Sequence, residues 1–267
     1  MGLVRGMYAE AKLPIAEIAR LTLRRRAAER VQEIEIEHEL ERCRERFAYF
    51  LFKYCRTQDE HDPSVFAKPF PRLPYIRDLA DILQKHRRIA IEKSRQMMVS
   101  WIVCAFVLWV AMFRPNVLAF VQSKKEQDAA DRLSRIYQLY FRLPEWMRKR
   151  FPINLNSGRP GQALYLDLYF TWRKEDRAFF GVEGEGFDDL VNANAVRSHI
   201  QAIPQGGDIL RQYTSTLVFS DEAAFQEQAS ESYAATAPTL DKDAWYIMVS
   251  TANPGFFESI THDRELR

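Results

Sequence analysis

Apolar residues recur at helical spacing near the start of the chain: Ile15, Ile18 and Ala19, then Val31 and Ile34. Charged residues fill the gaps, with Arg24, Arg25, Arg26, Glu33, Glu35 and Glu37 on the remaining positions. That period predicts helix to about residue 54. Phe47, Tyr49, Phe50, Leu51 and Phe52 give it a dense aromatic end that must pack on something. Asp62, Pro63, Pro69, Pro71 and Pro74 then break the pattern. The expected division is an N-terminal helical segment over 1–60 and a second domain over 61–267.

Beyond the prolines, helical and strand-like patterns alternate. Helices are predicted over 75–86, 100–113 and 126–141, and strands over 88–92, 117–121, 163–170, 216–220 and 246–250. Arg114-Pro115-Asn116 ends the second helix, and Pro144 lies just past the third. Such alternation predicts an α/β fold with a mostly parallel central sheet flanked by helices. The stretch 97–112 is nearly all apolar. It is shorter than the ~20 residues that span a bilayer, and Ser100 interrupts it, so a buried core helix is expected and no membrane span.

The chain has 267 residues, 47% of them hydrophobic, enough for a substantial core. Its formal net charge of +2 excludes a uniformly basic nucleic-acid coat, so any DNA contact must come from local patches. Lys85, Arg87, Arg88 and the group Arg142, Arg148, Lys149, Arg150 are the candidates, with a solvated basic surface as the alternative. Cys43, Cys55 and Cys104 lack paired zinc spacing and read as thiols.

Candidate chemistry lies at three predicted strand ends. The first is the run Glu92, Lys93, Ser94, Arg95, Gln96, Met97, Met98, Val99, Ser100, Trp101, which leaves a strand and opens a helix. A helix start offers free N–H groups and a positive dipole end to phosphate. Against the standard phosphate loop G-x-x-x-x-G-K-[ST], Ser100 takes the Mg²⁺-binding hydroxyl position. Met98 stands at the second glycine and Val99 at the lysine. Lys93, at the front of the loop, and Arg95 inside it supply cations instead. The second strand end is the apolar run 216–220 followed by Asp221 and Glu222, a Walker B arrangement in which Asp221 holds the metal shell and Glu222 activates water. The third is the strand 246–250 ending in Ser250, Thr251 and Asn253, small polar groups able to reach a γ-phosphate. Each segment alone has a bland reading as a surface turn or strand end. Together they fall on the one edge of an open α/β sheet where ligands bind.

These residues resemble the large terminase family of tailed bacteriophages. Lys93-Ser94-Arg95-Gln96 with Ser100-Trp101 looks like its deviant Walker A, in which the lysine moves to the loop's start. Phe219-Ser220-Asp221-Glu222-Ala223-Ala224-Phe225 looks like its Walker B, and Ser250-Thr251-Ala252-Asn253 like its coupling motif. Ser198 to Pro204 with Ile209-Leu210-Arg211 resembles the segment ahead of Walker B, whose arginine is proposed as a trans-acting finger. The likeness covers roughly 69–254.

The resemblance implies a P-loop NTPase of the additional-strand, catalytic-glutamate type. It implies ATP and Mg²⁺ as ligands and translocation of double-stranded DNA into a procapsid. It also implies portal protein and small terminase subunit as partners, and a homo-oligomeric ring when assembled or a monomer in isolation. The expected place is the host cytoplasm, transiently docked on the procapsid portal. The implied roles give Glu222 and Arg211 to catalysis and Ser100 and Asp221 to the metal. Residues 93–101 with Ser250, Thr251 and Asn253 go to the nucleotide. Phe70 and Tyr75 are the candidates for the adenine side, and the family's C-terminal nuclease domain is not expected in 61–267. For Arg211 a salt bridge to Glu222 or a neighbouring acid is the alternative. For the whole chain, a helicase-like translocase or a catalytically weak assembly module remains open. Ala223-Ala224-Phe225 after the acids disfavours the helicase reading.

Overall fold

The structure is a computed structural model that describes residues 15–58, 67–154, 165–169, 197–236 and 243–262. It divides into two compact units between Glu45 and Arg46. The division lies ahead of the proline-rich stretch, because the aromatic run after Arg46 belongs to the larger unit's core. The smaller unit carries α1, Ile15–Glu45. Exposed ion pairs run along this helix, such as Arg25 with Glu29 at 2.8 Å and Arg44 with Glu41 at 2.5 Å. Pairs of this kind each add only a few tenths of a kcal/mol, about 0.2–0.5.

In the larger unit, α2 (Phe47–Lys53) is followed by a two-stranded pairing of β1 (Arg56–Thr57) with β2 (Lys68–Pro69). Then α3 (Pro74–Lys85) leads into β3 (Arg88–Glu92), α4 (Val99–Phe113), β4 (Leu118–Ser123) and α5 (Glu126–Phe141). Next come α6 (Glu145–Arg150), β5 (Ile153–Asn154), β6 (Tyr165–Tyr169) and β7 (Arg197–Pro204). The remaining elements are α7 (Asp208–Gln212), β8 (Leu217–Asp221), α8 (Ala229–Thr236), β9 (Trp245–Ser250) and α9 (Phe256–His262).

Seven of the described strands form one sheet in the order β3-β9-β8-β4-β7-β6-β5. The first five are parallel, and β6 runs antiparallel to both β7 and β5. The strand expected over 163–170 is therefore present as β6, on the antiparallel flank. The segment 198–204, read only as a motif, is a full strand inserted beside β4.

Both faces of the sheet are covered, as a parallel sheet requires. All fifteen residues of α4 are buried, which is why that helix is apolar all round. Phe106 on α4 packs edge-on against Phe47 at 5.0 Å and Trp245 at 5.6 Å. Phe113 meets Phe50 at 5.7 Å and Phe151 at 5.2 Å. This aromatic core is the partner that the 47–52 run needed. Alternate residues of the same strands face the other way, where Phe120, Val218, Tyr246 and Met248 pack with Leu210 and Phe257. No helix among the described residues is long and apolar enough to cross a membrane.

Candidate active site

The strands β3, β9 and β8 end together. Glu92 is level with Ser250, and Asp221 with Val249. At this edge the chain leaves β3 through a six-residue turn, 93–98, and enters α4. The turn is pinned at its start, where the Lys93 amide donates to the Ser250 carbonyl at 2.9 Å. It bends through two left-handed residues, Gln96 at φ 62° and Met98 at φ 55°. Met98 is the residue standing at the standard loop's second glycine. Its backbone still adopts the conformation a glycine makes easy, at a strain of roughly 1–2 kcal/mol for an L side chain. The Tyr75 hydroxyl donates to the Met97 carbonyl at 3.4 Å, so one of the two adenine-side candidates touches the loop. The other, Phe70, is buried in the core.

Facing the turn are the two acids. Asp221, the last residue of β8, is fully buried. Its Oδ1 accepts the Ser100 hydroxyl at 2.9 Å, and its Oδ2 accepts the Nε–H of Arg132. Glu222 lies one residue on and is left-handed, at φ 53° and ψ 42°. That bend turns its carboxylate away from Asp221 and toward the loop. There Oε1 accepts the Lys93 ammonium at 3.4 Å, and Oε2 accepts the Ser250 hydroxyl at 3.5 Å. Non-glycine residues in this conformation carry strain that clusters at functional sites. Gln226 fixes the backbone under both acids, donating to the Ser220 hydroxyl and the Asp221 carbonyl, each at 2.9 Å.

Arg132 comes from α5 and packs beside Cys104 of α4, whose thiol approaches the Arg132 carbonyl at 3.7 Å. Burial works against the Arg132 charge, but Asp221 more than offsets it, and the guanidinium is held above its ordinary value. Burial pushes the Cys104 thiol up to about 12, so it is no nucleophile at neutral pH. Arg135, one helical turn after Arg132, lies over the Trp101 ring at 5.0 Å.

The loop, the acids and α5 enclose a cleft of about 360 Å³ lined by Lys93, Arg95, Gln96, Met97, Met98, Val99, Ser100, Trp101, Arg132, Arg135, Glu222, Phe225 and Thr251. Ser94 and Thr251 line an adjoining hollow with Lys93, Arg95 and Phe225. Four cations face two carboxylates here, once buried Asp221 is included, so the cleft is suited to an anion. The hydroxyl and carboxylate of Ser100 and Asp221 also suit Mg²⁺, a hard cation that takes few protein ligands and completes its shell with water and phosphate. Among the described residues, no cluster of three or more His, Cys, Asp or Glu offers a richer metal site.

Two of the candidate residues lie outside the cleft in this arrangement. Asn253 does not reach the cleft, because its amide donates to the Ala224 carbonyl at 3.0 Å and braces the turn after the acids. Arg211 does not line the cleft either. Its guanidinium meets Glu231 on α8 at 3.4 Å and is half exposed, so the pairing is with a neighbouring acid and not with Glu222. Sequence reasoning missed Arg132, Arg135 and Gln226. The only signal for the two arginines was their three-residue spacing on a helix that follows a parallel strand.

No family model and no curated protein matches the sequence. The large terminase of bacteriophage HK97 aligns with a TM-score of 0.53 and 13% identity, covering 82% of this chain and 40% of that one. The chain has the fold of the phage large terminases. It spans about two fifths of the HK97 protein's length. A variant of the ATPase domain of the Thermus phage P74-26 large terminase aligns at TM-score 0.49 and 17% identity, covering 68% of this chain and 67% of that one. A large terminase from a thermophilic bacteriophage, in complex with ADP, aligns at TM-score 0.39 and 14% identity, over 68% of this chain and 37% of that one.

The strand order has a direct consequence at the sheet edge. One strand, β9, separates the loop strand β3 from the acidic strand β8. Ser250, at the end of β9, touches Glu222 with its hydroxyl and the loop with its carbonyl.

Proposed function

We propose that this chain is the ATP-hydrolysing motor domain of a viral DNA-packaging terminase. The observation that carries the reading is the pairing of loop to acids: Ser100 with Asp221 at 2.9 Å and Lys93 with Glu222 at 3.4 Å, across one cleft at the C-terminal sheet edge. A strand–turn–helix that aims a hydroxyl and a cation at two adjacent carboxylates matches what phosphoryl transfer needs, which is positioning and charge neutralisation.

ATP lies along residues 93–100 with its phosphates at the start of α4. Lys93 and Arg95 neutralise phosphate charge, and the N–H groups of the turn donate to phosphate oxygens. Ser100 and Asp221 would hold Mg²⁺, which would neutralise charge on the phosphate oxygens. Glu222 releases Lys93 to the phosphates and accepts a proton from the attacking water. Ser250 senses loss of the γ-phosphate through its two contacts, to Glu222 and to the loop's first amide. Arg211, on the surface, serves a neighbouring subunit as a trans finger, worth roughly a thousandfold in turnover. Double-stranded DNA is the translocated substrate, with portal protein and small terminase subunit as partners in a ring docked at the procapsid in the host cytoplasm.

Steady-state ATPase rates test the site. Lys93→Ala and Glu222→Gln each lower the rate by at least about a hundredfold; near-parental rates in both remove the mechanism. Mixing Arg211→Ala with Glu222→Gln protein restores partial activity if the finger acts in trans, and a mixture as inactive as its parts contradicts it.

A further inference from the structure

The loop has lost its usual lysine. Val99 stands at that position and is buried, so nothing on α4 can bring an ammonium to the β- and γ-phosphates. Lys93 enters from the front of the turn and occupies Glu222. The cation at the back of the cleft is Arg132, which reaches in from α5, a different element. Its side chain is mostly buried yet lines the cleft, and its Nε–H donates to the one Asp221 oxygen that Ser100 leaves open.

This placement is a conflict if nothing moves. A metal shared by Ser100 and Asp221 and a guanidinium fixed on Asp221 would put two positive charges on one carboxylate. The conflict disappears if the arginine has a second anion to go to, and a triphosphate in the cleft is one. We infer that Arg132 joins Lys93 as a phosphate-binding cation from the other side of the cleft: it is paired with Asp221 and transfers to the β- and γ-phosphate oxygens when ATP binds, freeing Asp221 for the metal. Lys93 makes the matching move from Glu222. Each carboxylate is thus masked by a cation until the nucleotide draws that cation away. The guanidinium fork suits the task, because it can release one carboxylate oxygen and engage two phosphate oxygens at a similar distance. Arg135 stays behind on the Trp101 ring and keeps this part of α5 seated on α4.

The inference rests on the ATP-site reading above and adds a claim with its own sign. If Arg132 were only a fixed clamp on Asp221, removing it would expose the carboxylate and tighten Mg²⁺-dependent ATP binding, while metal-free binding would weaken through charge repulsion, so the Mg²⁺ arm separates the two. If it transfers to phosphate, removing it weakens ATP binding with or without metal.

The test is equilibrium binding of a fluorescent ATP analogue to the parental chain and to Arg132→Ala, in Mg²⁺ and in EDTA, with AMP as competitor. The expected result is a loss of about ten- to hundredfold for ATP in both buffers and no change for AMP. Unchanged or tighter ATP binding by the variant in Mg²⁺, with the parental chain binding normally, overturns the transfer and leaves the ATPase reading standing. A parental chain that binds no ATP overturns both. Should Arg132→Ala lose its native circular dichroism, Arg132→Lys carries the test. It keeps the charge but lacks the fork, so ATP affinity falls several-fold with AMP unchanged, and parental affinity in that variant overturns the inference. A further arm is Asp221→Asn in EDTA. Releasing Arg132 from its carboxylate tightens metal-free ATP binding there, and adding Arg132→Ala abolishes the gain; no gain in the single variant counts against the transfer.

Discussion

At the C-terminal ends of β3, β8 and β9, cations meet carboxylates across an open cleft: Lys93 on Glu222 and Arg132 on Asp221. Near the opposite ends of β3 and β9, cations meet a ring instead. Arg87 and Arg114 lie over the buried indole of Trp245 at 4.0 and 4.3 Å, and the indole N–H donates to the Leu83 carbonyl at 3.0 Å. Burial, with Arg87 close by, holds the Arg114 guanidinium below its ordinary value. Carboxylate-bound cations can be exchanged, because a stronger anion can take them. The ring-bound pair closes the core over the indole, and Asp243 nearby favours the Arg114 charge. By charge alone the two groups look alike in the sequence, where Arg87 is among the candidate DNA contacts. Geometry separates a cleft that trades partners from an edge that holds them.

The largest effect expected from breaking the contrast is at Glu222. Glu222→Gln keeps the acid's shape and removes its proton-accepting role, so single-turnover hydrolysis falls by about a hundred- to ten-thousandfold while ATP affinity stays within a few-fold. Quench-flow with a binding assay measures both. Next is Lys93→Ala, where ATP binding weakens by about tenfold or more, since a charge-assisted contact to phosphate is lost.

The opposite edge behaves differently. Arg87→Ala and Arg114→Ala each cost about 0.5–2 kcal/mol of stability through the lost cation–π contact, with parental ATP affinity. Denaturant melts beside binding curves check this. A drop in ATP affinity equal to that at Lys93 would erase the distinction between the two edges.

A smaller effect sharpens the picture of the loop. Met98→Gly relieves the left-handed strain and raises stability by about 1 kcal/mol, which a chain of this size shows as a thermal shift of about 2–4 °C. The smallest is at Cys104. Its thiol ionises near 9 when unfolded and near 12 when folded, so the unfolded chain loses that proton first. Stability from this group is full below about pH 9 and declines as pH rises from there toward about 12. Denaturant melts of parental and Cys104→Ala protein across that range measure it as a difference in slope.

Much of the sheet was legible because its central strands carry continuous apolar runs. All residues of β8 and β9 are buried, and the sequence marks them as continuous hydrophobic runs. The helix α5 was legible from its period. The strand β7 was not, since Ser198, His199 and Gln201 interrupt its apolar residues. Ser198 is satisfied there by contacts outside the strand pattern, with its hydroxyl donating to the Arg114 carbonyl and accepting the Val117 amide, both at 3.3 Å. In the candidate site, Lys93, Ser100, Asp221 and Glu222 were legible because strand ends and helix starts dictate where they point. Arg132 was not. A long side chain in the middle of an amphipathic helix reads as a solvated cation, and only the packing of α5 against α4 turns it inward. Arg211 and Asn253 sit at the right place in the order of motifs but outside this chain's own cleft, each with a partner, in Glu231 and in the Ala224 carbonyl.

The most direct measurement is a crystal structure of the Glu222→Gln protein soaked with Mg²⁺ and ATP. Phosphate oxygens are expected within hydrogen-bond distance of both the Lys93 ammonium and the turn leading to Ser100, with Asp221 facing the metal. Nucleotide bound elsewhere, with Lys93 and the Ser100 hydroxyl turned away from it, would rule out this cleft as the ATP site.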